Sequence, residues 1–261
     1  PGGSLSADDI VSNSWDASIG LEYQAIRQWH ENLAITAKLD GKNTNTDIIK
    51  DTTLTRDRIR TLRLGATYTV SDGKTSSNYW DIMLSKGMRI FGSSRAGDQN
   101  LSRDEAKPDF TKINFTYIRQ QYLDQHLMLT GQVGGQLSSA ELYSSEEYGY
   151  GGQSFGRAYD SSEITGDHGA SASLELSYMG LHLQDLSATP YVFGDIGRVW
   201  NKDSDGLHAK AASVGFGLKL SHSDAFSSNF GIAWPLMRDI GEPIYGNGRS
   251  PRFLFQMKYG F

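Results

Sequence analysis

The stretch Phe226-Ser227-Ser228-Asn229-Phe230-Gly231-Ile232-Ala233-Trp234-Pro235-Leu236 alternates from end to end. Phe226, Ser228, Phe230, Ile232, Trp234 and Leu236 fall on one face, and Ser227, Asn229, Gly231, Ala233 and Pro235 on the other. Successive side chains of a strand point to opposite sides, so this period of two predicts a strand with one apolar, aromatic face and one small, polar face. The pattern recurs upstream. Ala212, Val214, Phe216, Leu218 and Leu220 oppose Ser213, Gly215, Gly217 and Lys219, and Ala170, Ala172, Leu174, Leu176 and Tyr178 oppose Ser171, Ser173, Glu175 and Ser177. Leu127, Leu129, Val133 and Leu137 alternate with Thr130, Gln132 and Gln136, as do Leu62, Leu64, Ala66 and Tyr68 with Arg63 and Thr67. With Trp15 to Ala25, Leu33 to Leu39, Trp80 to Leu84, Ile113 to Tyr117, Ala188 to Trp200 and Phe253 to Phe261, eleven strands are predicted.

Many of these segments exceed the roughly 5 to 6 residues usual in soluble sheets. They match the roughly 9 to 11 tilted residues that cross a bilayer. Their polar face is Gly, Ser, Thr, Gln and Asn with an occasional charge, which suits a wet lumen better than the outside of a sandwich. The expected fold is all-β, an antiparallel transmembrane β-barrel. A chain of 261 residues with 38% hydrophobic content and mean hydropathy −0.45 has no apolar run near the about 20 residues of a membrane helix.

Other classes are excluded by what the composition lacks. With no cysteine there is no disulfide framework, no Cys-ligated zinc and no thiol nucleophile. A net charge of −5 from dispersed residues gives no nucleic-acid footprint. The histidines, His30, His126, His168, His182, His208 and His222, fall at strand ends and loops, with no Gly-x-Ser-x-Gly elbow and no metal-ligand spacing. Neither an enzyme nor a bound metal or cofactor is expected. Trp15, Trp80, Trp200, Trp234, Tyr68 and Tyr178 read as interfacial girdles. Glu22, Arg63, Lys112, Glu175 and Lys219 read as solvated lumen charges, or as the opposed charges of a passive porin.

Connections alternate in length. Short turns at Tyr122 to Gln125 and Ser221 to Asp224 contrast with long polar loops at Gly41 to Thr55, Gly92 to Pro108, Ser138 to Asp167 and Arg238 to Ser250. Long loops belong on the extracellular side of such barrels. Pro1 to Asn13 is too rich in Gly and Asp to count as a strand, and Pro1 to Asp9 lacks the basic and apolar regions of a secretory signal, as a mature or excised segment would. Eleven is odd, whereas bacterial single-chain barrels have even strand numbers.

The most distinctive loop is Ser144-Ser145-Glu146-Glu147-Tyr148-Gly149-Tyr150-Gly151-Gly152-Gln153-Ser154-Phe155-Gly156-Arg157-Ala158-Tyr159-Asp160. Loops beyond about 12 to 15 residues are usually functional. Downstream, Tyr191-Val192-Phe193-Gly194-Asp195-Ile196-Gly197 places Phe193, Asp195 and Gly197 toward the lumen by parity. A lumenal Asp needs a cation, and Arg157 is the natural candidate if its loop folds inward. In the last strand Phe253, Phe255, Met257, Tyr259 and the terminal Phe261 share a face, which resembles the assembly signal of bacterial outer-membrane proteins.

The Ser144–Asp160 run, the Phe193-Gly194-Asp195-Ile196-Gly197 motif and Phe261 together resemble the C-terminal half of the two-partner secretion transporters. These are haemolysin secretion and activation proteins of the ShlB, FhaC and HecB type, relatives of the BamA assembly proteins. The resemblance covers roughly residues 56 to 261, with weaker pieces at Ala212 to Leu218 and Trp234-Pro235-Leu236. It implies that residues 1–261 form the C-terminal 11 or 12 strands of a barrel of about sixteen, with a lumen-entering loop at about 140–167 and with no POTRA domain in this chain. The competing architecture is a self-contained barrel of twelve strands.

The family's loop tip usually reads Val/Ile-Arg-Gly-Tyr/Phe, and its Arg pairs with the Asp of a Phe-x-Asp-x-Gly strand. By resemblance Arg157 and Tyr159 take the tip roles and Phe193, Asp195 and Gly197 the strand roles; Glu147, Gly151, Gly152, Gly156 and Asp160 complete the loop motif. The sequence departs at Gly156 and at Ala158, which stands where the family has Gly and so questions a tip with φ > 0. The implied function is translocation of a haemolysin- or adhesin-type exoprotein across the Gram-negative outer membrane. The implied partners are that exoprotein, outer-membrane lipid and the barrel-assembly machinery. A passive porin and a barrel-assembly or patatin-type autotransporter barrel are the alternatives. Deleting Phe261 is expected to lower the heat-modifiable, folded fraction recovered from outer membranes, and unchanged insertion would remove the assembly signal.

Overall fold

The computed structural model describes residues 10–48, 52–183, 185–202, 208–222, 226–237 and 250–260. Its strands are β1 (Ile10–Arg27), β2 (Glu31–Ile48), β3 (Thr52–Ser71), β4 (Ser76–Gly87), β5 (Thr111–Tyr122), β6 (Leu127–Ser138), β7 (Tyr148–Tyr150), β8 (Ile164–Gly166), β9 (His168–Tyr178), β10 (Leu181–Leu183), β11 (Leu186–Trp200), β12 (His208–His222), β13 (Phe226–Pro235) and β14 (Arg252–Tyr259). One antiparallel meander runs β1-β2-β3-β4-β5-β6-β9-β11-β12-β13-β14, and β7 pairs with β8 as a separate ribbon. The eleven long strands are the eleven expected. The sheet's twelfth strand is the three-residue β10, which pairs with the start of β11 as a short continuation of the β9 hairpin. Among the described residues β1 and β14 are the two ends of the path, and the wall is open between them.

Alternation has an inverted burial pattern. Leu62, Leu64, Phe115, Leu174, Val192, Ile196, Phe216, Phe253 and Phe255 are exposed, while Thr61, Ser85, Lys112, Gln136, Ser171, Asp195 and Ser213 are buried on the opposite, inward face. In water that arrangement would not hold, because apolar area gains by leaving it. Hydrocarbon as the outer solvent makes the pattern favourable, and between β1 and β14 each long strand is hydrogen-bonded on both sides. Tyr68, Trp80 and Tyr117 stack across three strands at centroid distances of 5.4 and 5.0 Å, forming part of the girdle near the short turns.

Two expectations need correction. The segment Gly41 to Thr55 is a hairpin, not a long loop: β2 continues to Ile48 and β3 begins at Thr52, paired down to Ile48 opposite Thr52 with one register shift between Thr46 and Asp47. Hydroxyl pairs such as Ser12 with Thr46 and Ser14 with Thr44 continue the ladder. Here both faces are polar, so the alternation disappears while the strand persists. The N-terminal stretch likewise contributes strand from Ile10.

The expected loop at Gly92 to Pro108 does connect β4 to β5, and the turn after Tyr122 is closed by Asp124, whose carboxylate accepts the His126 and Leu127 amides. Most of Arg238 to Ser250, part of Ser221 to Asp224, and Phe261 lie outside the described residues. Above the membrane-facing band, Ile59, Leu101, Ala106, Phe110, Ala140, Leu142 and Tyr143 form a buried cluster that joins the β4–β5 loop to the start of the β6–β9 connection. This cluster roots the long connection before it turns onto the inward face.

The lipid-facing assignment is testable on one strand pair. Phe216→Arg is expected to destabilise the protein by about 2–4 kcal/mol in urea unfolding from lipid vesicles, as a charge does at the bilayer midplane. Thr116→Lys, inward and opposite Asp81, should stay within about 1 kcal/mol of wild type.

Candidate functional site

The connection from β6 to β9 first makes a single 3₁₀ turn at Ser144–Glu146 and then the β7–β8 ribbon, with Tyr148 opposite Gly166 and Tyr150 opposite Ile164. The ribbon lies on the inward wall. Tyr150 is fully buried with Tyr159, Ile164, Val199 and Ala211. Glycines in the wall make room for its rings: a Cβ at Gly169 would meet Tyr148 Cδ1 at 2.0 Å, and one at Gly197 would meet Tyr150 Cδ2 at 2.1 Å. Gly197 of the strand motif is thus a socket. The Tyr148 hydroxyl donates to Ser171 Oγ at 2.9 Å, while the buried Tyr150 hydroxyl has no partner among the described residues.

Beyond the ribbon the tip reverses at Gly156, whose φ is +75°, and the Tyr159 amide closes the turn on the Gly156 carbonyl at 2.8 Å. Ala158 is not among the residues with positive φ. The departure at Ala158 therefore costs nothing, because the left-handed position is Gly156. Gly151 also needs its missing side chain: its φ is +122°, and a Cβ there would meet the Asp160 carbonyl oxygen at 1.9 Å.

The turn aims Arg157 at the wall. Its Nη2 donates to Asp195 Oδ1 at 2.9 Å and its Nε to Oδ2 at 3.2 Å, while its own backbone amide reaches Oδ2 at 3.0 Å. Nη1 donates to Glu175 Oε2 at 2.6 Å, and the guanidinium carbon lies 3.5 Å from the Phe193 ring centroid. Asp195 has no exposed side-chain area. It also accepts from Ser173 Oγ at 2.8 Å and Ser213 Oγ at 3.1 Å, the residues opposite it on β9 and β11's other neighbour β12. Lys219 Nζ donates to Glu175 Oε1 at 2.6 Å. Two carboxylates thus face one buried guanidinium and the half-exposed ammonium of Lys219, so the charges of the cluster balance, as carboxylates with little exposure require.

Tyr159 is buried with its hydroxyl 3.0 Å from the Ala212 carbonyl and 2.9 Å from that of Met237. Asp160 pairs with Arg252, reaching β14. Glu147 sits apart from the tip, 3.1 Å from Arg103, which also binds the Asp167 carboxylate. Burial pushes the Glu147 carboxyl up, against the Arg103 charge. Burial acts the same way on Glu146, but Lys112 and Arg63 overcome it and hold that carboxyl below its ordinary value. Lys112 and Arg63 lie 2.8 and 2.6 Å from Glu146.

Arg157, Asp195, Phe193, Gly197 and Tyr159 therefore meet at one place, with Gly151, Gly152 and Gly156 shaping the tip. Glu175, Ser173, Ser213 and Lys219 join them and were missed as site residues. Arg63, Lys112, Glu175 and Lys219, expected as solvated lumen charges, instead pair with the loop or its partners; only strand register brings them there. Glu22 is exposed. Phe253, Phe255, Met257 and Tyr259 face outward, with Phe255 against Phe230 at 5.0 Å. Among the described residues no group of three or more His, Cys, Asp or Glu is placed to hold a metal ion.

The profile of the haemolysin secretion/activation proteins ShlB/FhaC/HecB matches residues 7–220. The outer membrane transporter CdiB of Dickeya dadantii strain 3937 is 26% identical over 153 residues, which is 58% of this chain and 27% of the relative. CdiB from Escherichia coli superposes with a TM-score of 0.79 at 18% identity, over 97% of this chain and 46% of its own. CdiB from Acinetobacter baumannii gives 0.73 at 17%, over 98% and 45%, and BamA from Haemophilus ducreyi lacking POTRA domains 1–3 gives 0.62 at 13%, over 94% and 54%. The fold is that of a transmembrane β-barrel wall, and the chain spans between about a quarter and about half of these relatives' lengths.

Gly197→Val is expected to push Tyr150 off the wall, cost about 1–3 kcal/mol in stability as overpacking does, and expose residues 151–160 to protease. Unchanged protease protection would contradict the socket.

Proposed function

Because the chain belongs to the haemolysin secretion/activation family ShlB/FhaC/HecB, we propose that it forms the pore wall of an outer-membrane transporter that moves a partner exoprotein from periplasm to cell surface. Its compartment is the outer membrane of a Gram-negative bacterium, and its family is one of secretion transporters, not of enzymes. The cargo is an exoprotein of the haemolysin or adhesin type. Outer-membrane lipid and the barrel-assembly machinery are its other partners.

One observation carries the mechanism: Arg157, at the tip of a loop folded onto the inward wall, engages two carboxylates and a ring at once. A loop held there occupies the path of a translocating chain. The tip and the root are anchored by different charges, Arg157 with Asp195 and Glu175 at the tip, and Glu146 with Arg63 and Lys112 at the root. Tip release therefore leaves the loop attached to the wall. Leaving two buried carboxylates without their guanidinium costs several kcal/mol. An incoming exoprotein drives the change only if it binds the released state better by that amount. Arg157 and Asp195 act as the latch, Tyr159 and Asp160 as its ties to the wall.

Reversing either charge, Arg157→Asp or Asp195→Arg, is expected to raise single-channel conductance in planar bilayers and to reduce exoprotein release into the medium. The double swap should bring both partly back to wild type. Heat-modifiable migration of each variant separates lost folding from lost gating. Additive damage in the double swap would sink the latch.

A further inference from the structure

β3 carries Arg56, Arg58 and Arg60 at alternate positions, in phase with the outward Leu62 and Leu64 further along the strand. The intervening Asp57, Ile59 and Thr61 are buried on the inward face, so the three arginines stand on the face that meets lipid below them. Lys86 of β4 is paired in register with Leu62, and Arg89 follows that strand. Of these cations, Arg89 is answered by Asp109 at 2.8 Å, and Lys86 donates to the Asp109 carbonyl at 2.8 Å and the Thr111 hydroxyl at 3.1 Å. Arg60 lies over Gly41 and donates to neutral oxygens, the Asn43 side chain at 2.9 Å and the Lys42 and Ile59 carbonyls at 3.2 and 2.8 Å. Among the described residues no carboxylate pairs with Arg56, Arg58 or Arg60.

The stripe has a defined height. Trp15, Asn43 and Arg58 form one cross-strand row on β1, β2 and β3, and exposed Trp marks a membrane–water interface. The opposite girdle contains Tyr68 on the same strand, and the span from Tyr68 to Arg60 approaches the about 9 to 11 tilted residues of a bilayer crossing. The arginines thus lie at the headgroups of the extracellular leaflet, on the side of the long loops. Alternate strand residues are about 6.6 Å apart, so neighbouring guanidinium forks reach separate phosphate oxygens.

We propose that Arg56, Arg58 and Arg60 bind the phosphate groups of a phosphorylated glycolipid in the outer leaflet, whose acyl chains lie on the Leu39, Leu62, Leu64 and Leu84 surface directly below. The proposal rests on the outer-membrane placement given above and on none of the secretion argument. Its ligand is one that the barrel meets along its circumference, and the arginines supply charge that no side chain of the described protein neutralises.

The purified protein would be reconstituted in phosphatidylcholine vesicles with diphosphorylated lipid A, with its dephosphorylated form, or with neither, and lipid retained after detergent extraction counted by native mass spectrometry. Diphosphorylated lipid A is expected to be retained and the dephosphorylated form to be lost. In the triple variant Arg56→Gln, Arg58→Gln, Arg60→Gln retention should fall at least about tenfold, the scale expected for removing three headgroup-level cations. Arg119→Gln, an exposed residue near the opposite girdle, should retain lipid as wild type does. Equal retention of both lipid forms by the wild-type protein overturns the proposal without any variant. So does wild-type retention by the triple variant, and so does displacement of the lipid by excess inorganic phosphate, which would mark a free-anion site. A wild-type protein that fails to insert in any vesicle would instead overturn the membrane placement.

Discussion

A carboxylate with no exposed area cannot stand alone in the wall of a membrane barrel, and Asp195 is such a group. Its needs organise much of what surrounds it. Ser173 and Ser213 stand directly across the sheet on either side and each give it a hydroxyl, but neither carries charge. The compensating cation has to come from outside the sheet, and it arrives on the long connection between β6 and β9. The backbone amide of Arg157 joins its side chain on the same carboxylate, so the position of the main chain, and not only of a flexible side chain, is set by Asp195. Glu175 adds a second negative charge that a lone guanidinium would leave unbalanced, and Lys219 offsets it.

The rest of the molecule is arranged so that this pairing is reached at little strain. The cap cluster around Phe110, Leu142 and Tyr143 fixes where the connection starts, and the Glu146 and Asp167 ion pairs hold both arms of its base. The β7–β8 ribbon then gives the loop enough stiffness to carry Arg157 to the wall. Apolar packing in this protein is concentrated in such small inward clusters, because the large apolar face of the sheet is turned to lipid. Stability of the wall itself comes from inter-strand hydrogen bonds that have no competing water in hydrocarbon.

What was legible in the sequence follows the solvent on each side of the sheet. Where one face meets lipid and the other water, as from Leu62 to Tyr68 or Phe226 to Trp234, alternation marks the strand and its orientation. Where both faces meet water, as from Asp40 to Ile48, the hairpin continues on Thr and Asn ladders and hydropathy is silent. Strands were therefore countable and their lengths were not. At the site, Arg157 and Asp195 were nameable because a family pattern and parity pointed to them. Glu175, Ser173 and Ser213 carry the same inward parity as many other residues, and only the register that sets Phe193 opposite Glu175 and Asp195 opposite Ser173 singles them out. The concern over Ala158 dissolved for a local reason, since the backbone reversal is placed two residues earlier.

The glycine sockets for Tyr148 and Tyr150 have a mechanical consequence. A ring seated over a missing Cβ has no gentle way out: neighbouring wall residues such as Ser171 and Val199 do carry side chains, so a small slide in either direction meets atoms where the socket had none. The seat behaves as a detent. The seat fixes the ribbon's position along the wall, because room for the two rings exists only where the Cβ atoms of Gly169 and Gly197 are missing. Two missing side chains thereby set the register of a loop that no ladder of the main sheet holds, a function that the glycine content of the wall alone does not announce.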